Sequence, residues 1–334
     1  MTQLSQRIDN LTPEKRRLLE QLMQAQKGNA GRGNISNSGA SSSSATTKSL
    51  PKANGKAMDL RVKAAPVEGD DNQTNSDKAQ QSVRQFYNDV SAQLNNNAFG
   101  EFAHFLNYGY LPNEKPQSAP FEPPEHCLNR NSVKLVLELI GDSQLKGNDH
   151  LDVGCGRGGT VTVVHKYFQP NSVTGLDLSS EAIDFCQQHH KLDKVKFVEG
   201  DALNLPFEDN SFDSVSNIES SHTYPDIDAF YQGVWRVLKP GGQFLYTDVL
   251  PVEYLKDCRE KLLALGFVIE ADIDITSNVL LSCDEVAANR LKAFAPQTEQ
   301  SDLDDFLAVP GSKLYEEMAT SQCYYQLLRL RKPL

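Results

Sequence analysis

Leu151-Asp152-Val153-Gly154-Cys155-Gly156-Arg157-Gly158-Gly159 is the stretch that decides the fold. It follows a strand and opens a helix, the context in which a glycine motif carries meaning. The glycines are needed because the chain turns sharply there and its backbone must approach a ligand without interference from Cβ atoms. Taken alone the signal is ambiguous. Gly154, Gly156 and Gly159 also satisfy the G-x-G-x-x-G pattern of dinucleotide binding. Asp177 ends the next strand about twenty residues later, where an acid would hold ribose hydroxyls in either class.

Outward from this loop, helices and strands alternate. A helix over Val133–Ile140 leads to the strand Leu151–Val153. Strands are predicted at Ser172–Leu178, Val195–Glu199, Phe212–Ile218 and Gln243–Val249, with helices opened by Ser179 or Ser180 and spanning Ala229–Leu238 and Tyr254–Leu265. Phe267–Thr276, a further helix and Tyr324–Arg331 complete the series. Strands separated by helices imply βαβ units and a largely parallel sheet covered on both faces. The last two strands alternate more strongly, as edge or antiparallel strands do.

Three features separate the two ligand classes. Asp152 lies just ahead of the glycines, where a carboxylate would repel a pyrophosphate but suits the ammonium of a cationic ligand. Asp201-Ala202 follows the third strand, well placed for an adenine amino group. Arg236-Val237-Leu238-Lys239-Pro240-Gly241-Gly242 turns a helix into the fifth strand. The run D-V-G-C-G-R-G-G, the acid of Gly175-Leu176-Asp177, the Gly200-Asp201-Ala202 element and R-V-L-K-P-G-G together resemble a class I S-adenosylmethionine-dependent methyltransferase, from about Asn129 to Arg331. The resemblance implies a Rossmann-like α/β fold with a seven-stranded, mostly parallel sheet and an antiparallel end. It also implies S-adenosylmethionine as cofactor, lying over Gly154, Gly156 and Gly158, with Asp177 on its ribose. Asp201 and Ala202 would lie near the adenine, Ile218 beside the cofactor, and Asp152 toward the methionine moiety.

A closer resemblance is to methyltransferases of polyketide and nonribosomal peptide biosynthesis. Phe86-Tyr87-Asn88 through Phe105-Leu106-Asn107-Tyr108-Gly109-Tyr110 looks like their N-terminal lid, and Ile218-Glu219-Ser220-Ser221-His222-Thr223-Tyr224-Pro225 resembles their active-site segment. Leu11-Thr12-Pro13-Glu14-Lys15-Arg16-Arg17-Leu18-Leu19 is similar to linkers beside assembly-line domains.

The organisation read from the chain has four parts. Residues 1–27 carry helical periodicity through Leu4, Ile8, Leu11, Leu18, Leu19, Leu22 and Met23, an apolar stripe suited to docking on an assembly-line partner. Residues 28–80, rich in Gly, Asn, Ser and Lys with Ser41–Ser44 uninterrupted, read as a flexible linker. Residues 81–128 form a mainly helical, aromatic lid, helical as far as His104, and residues 129–334 the catalytic domain. A net charge of −11 speaks against general affinity for nucleic acid or anionic membrane. No apolar run approaches the ~18 residues of a membrane span. The six cysteines form no Cys-x-x-Cys pair. They read as free thiols of a reducing cytoplasm, and neither zinc nor another metal is expected.

For the chemistry, an unactivated hydroxyl has a pKa near the ~15.7 of water, so a base at the attack point helps by about 10²–10⁴-fold. His222, just past the carboxyl end of the fourth strand, is the candidate base. Glu219, three residues earlier, is the first candidate to orient the ring, and Asp248 at the end of the fifth strand is the second. His165, His189 and His190 lie on helices and read as surface residues, while Tyr224 and Tyr246 read as packing residues. The function this favours is O-methylation of a hydroxyl on a free or carrier-bound polyketide or peptide-type product. Carbon methylation, a non-catalytic cofactor-binding module and a nicotinamide dehydrogenase are the alternatives.

Overall fold

The computed structural model describes residues 72–334 except 97–99, 115–116 and 295–303. The expected docking segment and nearly all of the expected linker lie outside the described residues. The strands are β1 (Asp149–Val153), β2 (Ser172–Asp177), β3 (Val195–Glu199), β4 (Phe212–Ile218), β5 (Leu238–Pro251), β6 (Val268–Asp274) and β7 (Cys323–Arg331). They form one sheet in the order β3-β2-β1-β4-β5-β7-β6. The pairs from β3 to β5 are parallel, and β7 runs antiparallel between β5 and β6. The order reverses between β1 and β4. At such a switch point the connections leave in opposite directions and open a crevice at the carboxyl ends of the strands.

The helices are α1 (Asn72–Asn95), α2 (Arg130–Ile140), α3 (Gly159–Phe168), α4 (Ser180–His189), α5 (Ile227–Val237), α6 (Val252–Ala264), α7 (Thr276–Phe294) and α8 (Lys313–Ala319). Alternate strand residues feed two cores. Leu151 and Val153 join Phe230, Tyr231, Val234, Leu255 and Leu262 on the side covered by α5 and α6. Leu245, Tyr325 and Leu327 join Val136, Val161, Val164 and Val279 on the side covered by α2, α3 and α7. Because both faces are covered, β1, β2 and most of β5 are buried residue after residue, without the in–out alternation of a half-solvated sheet.

Local chemistry sets the helix ends. Ser179 caps α4, accepting from the Ala182 N–H at 3.1 Å, and Asp226 caps α5, accepting from the Ala229 N–H at 2.9 Å. At the carboxyl end of α2, Arg329 of β7 donates to the Leu139 and Glu138 carbonyls at 2.8 and 2.6 Å, where the helix leaves acceptors without intrahelical partners. Its guanidinium fills the space a Cβ on Gly141 would need.

The lid departs from expectation at both ends. Its helix begins at Asn72, ahead of the boundary expected at residue 81, and it stops at Asn95 rather than continuing to His104. A single 3-10 turn over Gly100–Phe102 follows, and the chain then runs without helix past Gly109. Val90 and Leu94 pack with Leu307, Phe86, Leu106 and Phe306 into a small separate cluster.

Candidate active site

The glycine loop sits at the carboxyl end of β1, in the crevice of the switch point. The Gly154 and Cys155 N–H groups both donate to the Leu176 carbonyl, at 2.8 and 3.0 Å, which folds the loop back over β2. Gly154, Gly156 and Gly158 all have positive φ, at 72°, 50° and 78°. Their Cβ directions differ in purpose. A Cβ on Gly154 would strike Ser220, and one on Gly158 would strike the His190 ring, so those two glycines serve close packing. Only Gly156 of the three faces open space. Asp177 braces the loop: Oδ2 accepts the Gly156 N–H at 2.7 Å and Oδ1 the Ser179 N–H at 2.9 Å. Burial raises the Asp177 carboxyl, and those backbone bonds pull against the rise.

Across the crevice, β4 ends at Ile218 and the chain turns sharply through Glu219, whose φ is 49°, into the 3-10 turn Ser221–Thr223. His222 lies in that turn. Its Nδ1 is 2.7 Å from Oδ1 of Asp248, a β5 residue that is fully buried. Oδ2 of Asp248 accepts the His222 backbone N–H at 3.0 Å and the Ser221 hydroxyl at 2.6 Å, and Oδ1 also accepts the Val249 N–H at 2.8 Å. An ionised carboxylate only accepts, so Nδ1 carries the proton and the ring's lone pair lies on Nε2. Asp248, the second of the two candidates, thus holds Nδ1, the place first expected for Glu219. The Glu219 carboxylate instead accepts the Tyr108 N–H at 2.7 Å and the Tyr325 hydroxyl, tying the segment after the lid helix to β7. The left-handed backbone at Glu219 turns its side chain away from the strand direction, and the partner of His222 comes from the neighbouring strand.

A profile described as methyltransferase domain matches residues 151–246. A fatty-acid O-methyltransferase of Mycolicibacterium smegmatis is 35% identical over 231 residues, covering 69% of this chain and 83% of the relative. The chain belongs to the S-adenosylmethionine-dependent methyltransferases. A phthiotriol/phenolphthiotriol dimycocerosates methyltransferase of Mycobacterium leprae is 33% identical over 244 residues, covering 68% of this chain and 85% of the relative. Among solved structures, the [4+2]-cyclase SpnF superposes with a TM-score of 0.59 at 24% identity, covering 77% of this chain and 96% of that one. A geranyl diphosphate C-methyltransferase from Streptomyces coelicolor A3(2), solved with S-adenosyl-L-homocysteine, superposes at 0.56 and 19% identity, covering 76% and 98%. Both share the fold.

The residues of this methyltransferase fit its cofactor, S-adenosylmethionine. Oδ2 of Asp152 is buried with no hydrogen-bond partner, an acceptor that an ammonium would satisfy. Gly156 has open space where a Cβ would stand, so a cofactor laid over the loop could approach its backbone closely. Asp177 is half-buried at the end of β2, where its carboxylate gathers backbone N–H groups of the loop and of the following turn. Asp201, after β3, accepts the Leu203 N–H at 2.8 Å and is likewise half-buried, while Ala202 and Ile218 are buried in the two cores beside the crevice.

The methyltransferase site also holds residues that sequence reading passed over. Tyr87, on α1, has its hydroxyl pKa raised by burial and then by the charges of Asp177, Asp248 and Glu219. The Arg157 guanidinium is buried and donates to the Ala103, Ser91 and Gly100 carbonyls and to Asn95 Oδ1, at 2.7, 3.3, 2.9 and 2.8 Å, so the glycine loop holds the lid. It stacks 3.5 Å from the centroid of the Phe185 ring. His190, expected on the surface, is buried and reaches the Arg157 carbonyl through Nε2 at 2.8 Å. Tyr246 packs in the core as expected, and its hydroxyl also meets the Ser221 hydroxyl at 2.8 Å behind Asp248. Among the described residues, no helix is long and apolar enough to cross a membrane.

Proposed function

We propose that this methyltransferase methylates an oxygen on an acceptor with a lipid- or polyketide-like body, with His222 as the general base. The observation that carries the reading is the bond between His222 and the buried Asp248 at the carboxyl ends of β4 and β5, across the crevice from the glycine loop. Bound S-adenosylmethionine supplies a methyl group made electrophilic by its sulfonium sulfur. The chain's own part is to hold and to deprotonate. Asp152 holds the ammonium, Gly156 admits the backbone approach, Asp177 takes the ribose, and Asp201 with Ala202 flanks the adenine. His222 Nε2 would take the proton of an acceptor hydroxyl as its oxygen displaces S-adenosylhomocysteine from the methyl carbon, the broken carbon–sulfur bond balancing the new carbon–oxygen bond. Asp248 stabilises the imidazolium and fixes the ring. Tyr87 and the lid helix keep water from the reacting atoms.

The fatty-acid O-methyltransferase name of one relative supports oxygen as the attacking atom. The relatives named for fatty-acid and phthiotriol/phenolphthiotriol substrates support a lipid- or polyketide-like acceptor body. The test is incubation with methyl-labelled S-adenosylmethionine and a panel of fatty acids, hydroxylated lipids and polyketide alcohols, free and carrier-bound. Mass spectrometry then places the label. A methyl ether on a hydroxyl acceptor is expected, because a carboxylate, which would give an ester, is already ionised and needs no base. Label on carbon would overturn the assignment to oxygen.

A further inference from the structure

Beneath the glycine loop, a buried polar row runs back from Asp152 through residues to which the proposed methyl transfer gives no role. His150 and Asp152 point to one face of β1 and pair in register with Ser214 and Ser216 of β4. All four are buried. Nδ1 of His150 is 2.8 Å from Ser214 Oγ, its Nε2 is 3.0 Å from Ser216 Oγ, and Ser216 Oγ is 2.5 Å from Oδ1 of Asp152. The row is continuous, and it ends on Oδ2 of Asp152, which has no partner. A purely structural network in a core normally closes on itself, because an unmet buried acceptor is costly.

Each link in the row holds one proton, which leaves two self-consistent arrangements. In one, Asp152 is ionised. Ser216 then donates to it, His150 donates through Nε2 to Ser216, and Ser214 donates to Nδ1. In the other, Asp152 is protonated and donates to Ser216, Ser216 donates to Nε2, and His150 donates through Nδ1 to Ser214. An ionised Asp152 therefore fixes His150 as the Nε2–H tautomer, whereas a protonated one permits either, since its proton can also sit on Oδ2. We propose that His150 and Ser216 are positioning residues for the cofactor's ammonium, which on meeting Asp152 Oδ2 locks the row into the first arrangement and expels a proton. The proposal rests on the amino-acid end of the cofactor lying at Asp152.

The electrostatics agree with this geometry. Burial pushes the Asp152 carboxyl up to about 7; Ser216 opposes the rise and Asp177 adds to it. Burial also pushes His150 down to about 3, so it stays neutral and responds by tautomer alone. The titratable groups facing Asp152 are His150 on its own strand, Asp177 from β2 and the Cys155 thiol of the glycine loop, itself raised by burial.

The experiment is isothermal titration of the full-length protein with S-adenosylhomocysteine, between about pH 5.5 and about pH 7.5, where the ligand keeps its own ammonium proton. Buffers of different ionisation enthalpy count the protons released. For the wild type the expected result is a release rising toward one proton per site at the acid end, with affinity falling up to about tenfold per pH unit below about pH 7. Ser216→Ala removes the donor to ionised Asp152. Its midpoint is expected to move to higher pH, and its affinity at neutral pH to fall roughly tenfold. Nitrogen-15 shifts are expected to show His150 as the Nε2–H tautomer in the complex. If Asp152→Asn loses affinity while wild-type binding releases no proton, or if Ser216→Ala keeps the wild-type midpoint, the row does not position the ammonium. Wild-type affinity in Asp152→Asn would instead remove the cofactor's amino-acid end from Asp152.

Discussion

Nδ1 of His222 lies 2.7 Å from Oδ1 of Asp248, and the other oxygen of that carboxylate accepts the backbone N–H of the same histidine at 3.0 Å. One buried side chain thus fixes both the turn that carries the imidazole and the tautomer of its ring. Asp248→Asn keeps the size of the group but lets an amide N–H donate to Nδ1, which would place the ring proton on Nε2, where a base needs its lone pair. The expected loss in kcat is about 10²–10⁴-fold, with S-adenosylhomocysteine affinity by calorimetry nearly unchanged.

Arg157 is the mechanical link between the glycine loop and the lid. A lysine keeps the charge but cannot reproduce a planar fork that serves four acceptors in different directions. Arg157→Lys is therefore expected to cost about 2–4 kcal/mol of lid attachment, counting the hydrogen bonds to a charged group that are lost. Hydrogen exchange should quicken in the second half of α1 and across residues 100–105 while the strands of the sheet stay protected.

Much of this was legible in the sequence. The strands and their order of use follow from apolar runs and turn residues, and β3 and β4 start and end where the pattern puts them. The glycine loop was legible because its residue types are dictated by backbone geometry at one place in the chain. What showed only as a second choice, or not at all, were contacts set by the register between distant segments. Glu219 is near His222 in sequence, whereas Asp248 is brought there by the pairing of Ile218 with Thr247 across β4 and β5. His190 looks like any polar residue at a helix end, and only the return of the loop beside it makes it buried. The reading of α1 to His104 failed because aromatic spacing continued after the helix stopped at Asn95, where an asparagine run favours turns over helix.

Asp152 carries a second consequence, for stability. Its folded pKa of about 7 lies above the ~3.9 of an unfolded aspartate. Between those values the folded state binds more protons than the unfolded state, so this group's contribution is intact below about pH 4 and is lost as pH rises toward 7. Asp152→Asn has no charge to bury. Its stability relative to the wild type, in the absence of cofactor, is expected to grow by on the order of 4 kcal/mol across that window, and to level off above it. Denaturant unfolding at a series of pH values measures the difference, and a constant difference would place the Asp152 carboxyl at its ordinary pKa.

The central claim is that His222 removes the acceptor's proton, and single-turnover methyl transfer tests it most directly. His222→Ala and the wild type are loaded with methyl-labelled S-adenosylmethionine and mixed with a saturating hydroxyl acceptor found by the labelling screen. The expected result is a transfer rate lower by about 10²–10⁴-fold, together with an S-adenosylhomocysteine affinity close to that of the wild type. Near wild-type transfer at saturating acceptor would contradict the claim, since the imidazole would then have no proton to take.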